Sequence, residues 1–179
     1  MSAPGPRRSS TTTTKTNWQT PPGLIERLRK QFNFTIDVAA SPENTITSAY
    51  LTGPCTKRDP EFKTCACGLC SSWAILGTDG YAWCNPPYGK GIDKWLDKAV
   101  YEQSWHSMGS VLLVPNATDT RWWAYAYTFA SEVRLLEGRV GFLDPETGKP
   151  ASSNTTGSTI FVFDPRNPAP RNVYLWDWK

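Results

Sequence analysis

Tyr81-Ala82-Trp83-Cys84-Asn85-Pro86-Pro87-Tyr88-Gly89 is the stretch from which the rest of the chain can be read. Its first four residues are short, apolar and strand-like. The paired prolines cannot continue a central strand, so the chain must leave the sheet directly after Cys84. Asn85 brings a side-chain carbonyl acceptor to that exit. The Pro86 carbonyl is a second acceptor, Pro86 and Pro87 stiffen the turn that aims both, and Tyr88 supplies a flat ring. Two fixed acceptors beside a stacking face form a receptor for a planar amide or amino nitrogen. Such a nitrogen is a poor nucleophile because its lone pair is delocalised. Hydrogen bonds from both of its N–H groups favour the pyramidal form and the charge that develops on attack, at about 3 kcal/mol for one good contact. The plain alternative is an Asn-Pro-Pro turn that merely ends a strand.

Working outward, strands and helices alternate. Leu24, Ile25, Leu28 and Phe32 predict an amphipathic helix over 21–32, with Thr20 as its cap and Pro21 in its first turn. FTIDVA at 34–39 reads as a buried strand. Ile92, Trp95, Leu96, Ala99 and Val100 mark a helix over about 91–104, VLLV at 111–114 a strand, and Thr118 or Thr120 the start of a helix to about 130. Residues 132–136 and TIFVF at 159–163 are strands, and 173–178 is a last, edge strand. Residues 45–80 show little periodicity. The alternation predicts an α/β fold with a mostly parallel sheet and an antiparallel pair at one edge. Ligands in such sheets bind at the carboxyl ends of the strands. Asp37-Val38-Ala39-Ala40-Ser41 and the Asn85 turn both fall there.

The 179 residues suffice for one domain with a real core. No apolar run reaches the roughly 20 residues of a membrane helix, so no membrane partner is expected. The net charge of +3 is misleading. Residues 1–16 hold three of the 19 Lys and Arg residues and no acid, which leaves 16 basic against 16 acidic side chains in the body. The Ser-, Thr- and Pro-rich tail over 1–16 reads as disordered, either a solvated leader or a weak, salt-sensitive grip on phosphate. Nine Trp, seven Tyr and seven Phe exceed what a core of this size needs, so some rings are expected to line a site, stacked on bases or on a cation. The lone histidine, His106, has no evident partner for nucleophilic catalysis.

Beyond the Asn85 turn, WQTPP at 18–22, FTIDVAASPEN at 34–44, GL..W at 68–73, WCNPPYGKGIDKWLDKA at 83–99, LLVPNATDTRWW at 112–123, EGRVGF at 137–142 and STIFVF at 158–163 stand in one order. Together they resemble the phage-type DNA N6-adenine methyltransferases, the Dam-like phage family. The resemblance implies a single Rossmann-like domain over 17–179 that binds S-adenosylmethionine and methylates N6 of adenine in DNA, in the host cytoplasm. The adenine is flipped from the duplex, stacked on Tyr88 and held by Asn85 and Pro86, with Pro87 completing the catalytic turn. Trp18, Thr20, Pro21, Asp37, Ala39, Ala40, Ser41 and Asn85 surround the cofactor, with Asp37 meeting its cationic amino end. Arg121, Trp122 and Arg139 are candidates for DNA contact, and each equally suits an ordinary helix or loop position. With no room for a separate recognition domain, specificity falls to loops such as 45–80 and 143–157, and a short or relaxed target is expected. A monomer suffices for this.

Some features depart from that pattern. Asp37-Val38-Ala39-Ala40 replaces a Gly-x-Gly turn, the ribose-binding acid is not identifiable, with Asp59 and Glu61 no more than candidates, and Cys67 precedes the Gly68-Leu69 pair where an acid is usual. Cys55, Cys65, Cys67 and Cys70 form a Cys-rich insertion over about 52–72 that suits a tetrahedral zinc, or unligated thiols, or disulfides, which a reducing cytoplasm disfavours. Two other readings remain open at this point: methylation of another planar nitrogen, on an RNA base or a protein glutamine, and a catalytically inactive, zinc-stabilised nucleic-acid-binding module.

Overall fold

The computed structural model describes residues 18–53, 66–151, 155–168 and 172–179. The tail, Cys55, Cys65, Asp59 and Glu61 lie outside them. The chain enters through helix α1 (Pro22–Arg29), whose Leu24, Ile25 and Leu28 recur at helical spacing and are buried. The helix is shorter than 21–32 because the N–H groups of Gln31 and Phe32 both fold back onto the Leu28 carbonyl at 2.9 Å. Thr20 does not cap it. Pro21 occupies the cap position without any side-chain bond, and Pro22 opens the first turn. A proline start has no N–H there to satisfy, so the Thr20 hydroxyl is released for other use.

Six strands follow: β1 (Phe34–Asp37), β2 (Tyr81–Cys84), β3 (Gly109–Pro115), β4 (Glu132–Leu136), β5 (Ser158–Phe163) and β6 (Asn172–Trp176). Helix α2 (Ile92–His106) joins β2 to β3, and α3 (Arg121–Phe129) joins β3 to β4. The sheet order is β1-β2-β3-β5-β4-β6. β5 runs antiparallel to β3 and β4, and the other pairs are parallel. The antiparallel β4–β5 pair thus lies one strand in from the edge. β5 is already paired on both sides, so β6 joins outside β4, parallel to it.

Side chains alternate across the sheet with period two. Trp83, Val111, Leu113, Ile160 and Val162 pack under α1. Ala82, Cys84, Leu112, Val114, Phe161 and Phe163 pack under α2 and α3. Burial on both faces is why these strands read as unbroken apolar runs. Outside β1, Tyr50 lies parallel to Asp37 and Cys67 to Thr52. Gly68 fits there because it has no side chain: a Cβ would stand 1.9 Å from the Val38 carbonyl oxygen. Its own carbonyl accepts from Trp73 Nε1 at 2.7 Å, which accounts for the Gly-Leu…Trp spacing. No helix among the described residues is long and apolar enough to cross a membrane.

Candidate active site

Because β1, β2 and β3 are parallel, their carboxyl ends share one edge, and the first residue of β5, Ser158, pairs with Pro115 there. Asp37 ends β1 and Asn85 follows β2. The segment before α1 crosses the same edge. Trp18, Thr20, Asp37, Ala39 and Asn85 line one narrow cavity of about 10 Å³, together with Asn44 and Trp83. A larger, open groove of about 240 Å³ lies beside it, shares Thr20, and continues along Ile25, Arg29 and Ile46.

Asp37 is 3% exposed. Its Oδ2 accepts from the Ile46 N–H at 3.1 Å and its Oδ1 from the Ala39 N–H at 3.4 Å. Among the described residues no cation pairs with it. Burial pushes its carboxyl up to about 7, against the pull of those two N–H groups. The buried carboxyl thus faces, with no counter-charge among the described residues, a cavity that two tryptophans also line. That fits the ammonium end and the sulfonium of S-adenosylmethionine.

The other expected cofactor residues divide. Pro21 stands at the head of α1, and Ala40 is buried with its N–H on the Leu51 carbonyl at 3.0 Å. Ser41 donates through both N–H and Oγ to Asn44 Oδ1, at 2.7 and 3.2 Å. Ala40 and Ser41 thus shape the 38–46 loop, while Ala39 and Asn44 face the cavity. Asn44 lies in the quoted FTIDVAASPEN stretch, and Trp83 lies in β2 two residues before Asn85. Neither was assigned from sequence, because a turn returning to the strand end leaves no periodic mark.

In the motif itself, Asn85 Nδ2 donates to Thr20 Oγ1 at 3.2 Å. The carbonyl Oδ1 is thereby turned away from Thr20. Pro86 is buried and Pro87 half-buried. The Tyr88 ring stands edge-on to Phe142, centroids 5.7 Å apart at 85°, and Phe142 also contacts Trp18 at 5.7 Å. Burial pushes the Tyr88 phenol well up, and the neighbouring Ser158 opposes this.

The candidate DNA residues lie in the loops that follow the parallel strands. Arg121 is exposed at the start of α3, where Thr120 Oγ1 caps the Trp123 N–H at 3.4 Å. Trp122 is half-buried and packs onto the core under α3. Arg139 is exposed after β4. His106 sits exposed at the far end of α2, against Tyr101. Of the four clustered cysteines, Cys67 is buried and Cys70 exposed. Among the described residues no three His, Cys, Asp or Glu side chains gather as a metal set.

The family model for DNA N-6-adenine-methyltransferase (Dam) matches residues 8–174. A protein of Escherichia phage T1 bearing that description is 29% identical over 164 residues, covering 82% of this chain and 61% of the relative. One of Haemophilus phage HP1 with the same description is 27% identical over 154 residues, covering 84% of this chain and 80% of the relative. The chain thus spans about three fifths of the T1 relative and four fifths of the HP1 one. A match running from the tail into β6, on a sheet whose Asn-Pro-Pro-Tyr turn and buried aspartate share one edge, leads to one assignment: the chain belongs to the DNA N-6-adenine-methyltransferase (Dam) family.

Proposed function

We propose that this protein transfers a methyl group from S-adenosylmethionine to N6 of adenine in DNA. The observation that carries this is the Asn85 amide, held through its nitrogen with its carbonyl free, beside the cavity that contains the uncompensated Asp37 carboxyl. Asp37 would hold the cofactor's ammonium, and the faces of Trp18 and Trp83 would flank its cationic part. Bound there, the cofactor supplies a methyl group activated on a sulfonium.

The remaining work falls to the chain. A flipped adenine enters beside Tyr88, whose ring stacks on the base. Asn85 Oδ1 and the Pro86 carbonyl accept from the N6 amino group, which draws its lone pair out of conjugation and stabilises the charge it develops. Arg121 and Arg139, on the rim formed by the β3 and β4 loops, would take the phosphates. No covalent intermediate with the protein is required.

The test is to incubate the protein with labelled S-adenosylmethionine and, separately, unmethylated DNA, RNA and a protein extract, and to identify methylated products by mass spectrometry. N6-methyladenine in DNA is expected. Transfer confined to RNA or to protein glutamine would replace the acceptor in this account. Cofactor binding without transfer to any of them would contradict it.

A further inference from the structure

We infer that Thr20 is a positioning residue for Asn85, and that the segment carrying it is locked by a backbone clasp which also fixes Tyr88. The inference rests on the function proposed above. An asparagine amide has two nearly isosteric ends, and only the carbonyl end can accept from an amino group. Rotated by half a turn, it would present N–H donors to the donors of N6. Thr20 Oγ1, 3.2 Å from Asn85 Nδ2, accepts from the nitrogen end. Because a hydroxyl can also donate, what it fixes is the position and plane of the amide, and the N–H donors of N6 then select the carbonyl end. Thr20 is only 4% exposed, so water competes poorly for that contact.

The hydroxyl is available because Pro21 takes the helix cap position that Thr20 would otherwise fill. Its location is set from the far end of the chain. Gln19 and Leu143 exchange two backbone hydrogen bonds, each 2.9 Å, and the Ala151 N–H donates to the Phe142 carbonyl at 2.8 Å. Segments 18–20, 142–143 and 150–151 therefore form a small three-stranded clasp above the sheet edge. Phe142, 2% exposed, carries the contact onward: its ring meets Trp18 on one side and the Tyr88 ring edge-on on the other. Both ends of the Asn85–Tyr88 turn are thus held by one cross-link, Asn85 through Thr20 and Tyr88 through Phe142.

The experiment compares wild type, Thr20→Val and Thr20→Ser in cofactor binding, thermal melting and steady-state DNA methylation. Valine keeps the shape and removes the acceptor. Thr20→Val is expected to lower kcat by roughly 100-fold with KM for DNA and cofactor affinity within about twofold, the mark of lost orientation rather than lost binding. Thr20→Ser is expected to restore kcat and melting, and Thr20→Val to melt lower only by the few degrees that one lost hydrogen bond costs. A purely structural role would lower kcat no further than the loss of folded protein accounts for, and a cofactor-binding role would move affinity. Either of those patterns, or a wild-type kcat in Thr20→Val, overturns the inference. If Thr20→Val fails to fold, Thr20→Ala removes the same hydroxyl without added bulk and is read in the same way. Failure of the wild type to methylate DNA in this assay would instead remove the function on which the inference rests.

Discussion

Two buried charges sit in this sheet, and they are treated oppositely. Arg134, in β4, is 2% exposed and surrounded by protein groups. Its Nε lies 2.7 Å from Glu132 Oε1, its Nη2 reaches Glu132 Oε2 at 3.1 Å and Gln31 Oε1 at 2.8 Å. Its guanidinium stacks 4.8 Å from the Trp176 ring and 5.2 Å from that of Phe32. Asp37, at the end of β1, is as deeply buried and receives two backbone N–H groups and, among the described residues, no cation. A charge the fold has neutralised holds the fold together. A charge left uncompensated beside a cavity is, on the function proposed above, the group that meets the cofactor's cation.

That contrast can be broken most sharply at Arg134. Arg134→Met should cost about 3 kcal/mol of stability, because it removes the stacked cation and leaves the partly buried Glu132 with only the Tyr174 hydroxyl. Activity per folded molecule should be unchanged, as denaturant melts paired with a transfer assay would report. Gly68→Ala is expected to cost about 2 kcal/mol by overpacking, since its Cβ meets the Val38 carbonyl. Here cofactor affinity should fall together with stability, because Val38 directly follows Asp37.

Asp37 itself gives a smaller and pH-dependent effect. Its carboxyl is raised from 3.8 to about 7 in the folded chain. Between those values the folded state holds a proton that the unfolded state has released. This group's contribution to stability therefore falls as pH rises from about 4 to about 7, and is flat above. A cationic ligand requires the ionised form, so its affinity should rise roughly tenfold between about pH 6 and 8 and then level. Asp37→Asn should flatten that profile in calorimetric titration with the cofactor. The smallest effect is a control remote from both charges. Thr120→Ala removes the cap of α3 and should cost about 1 kcal/mol in melting, with cofactor affinity intact.

Much of this was legible because it is periodic. The alternation of Trp83 against Ala82 and Cys84, and of Val111 and Leu113 against Leu112 and Val114, places the strands and both core faces. The Asn85 turn was legible because two prolines leave the chain no other path. What sequence hid is long-range. Thr20 looks like a helix cap because its neighbours permit one, and its actual partner is 65 residues away. The position of β6 outside β4 depends on which edges remain unpaired, which no local pattern records. Asn44 reaches the site only through the 38–46 loop that Asp37 staples to Ile46.

The central claim is that the carboxyl edge of the sheet holds a cofactor through Asp37 and activates an adenine through Asn85. The direct test is single-turnover methylation of DNA by wild type and Asn85→Ala at saturating S-adenosylmethionine, with cofactor affinity measured in parallel. Wild type should yield N6-methyladenine, Asn85→Ala should be slower by about 100- to 1,000-fold, and its cofactor affinity should stay within about threefold of wild type. An Asn85→Ala rate equal to wild type would contradict the central claim.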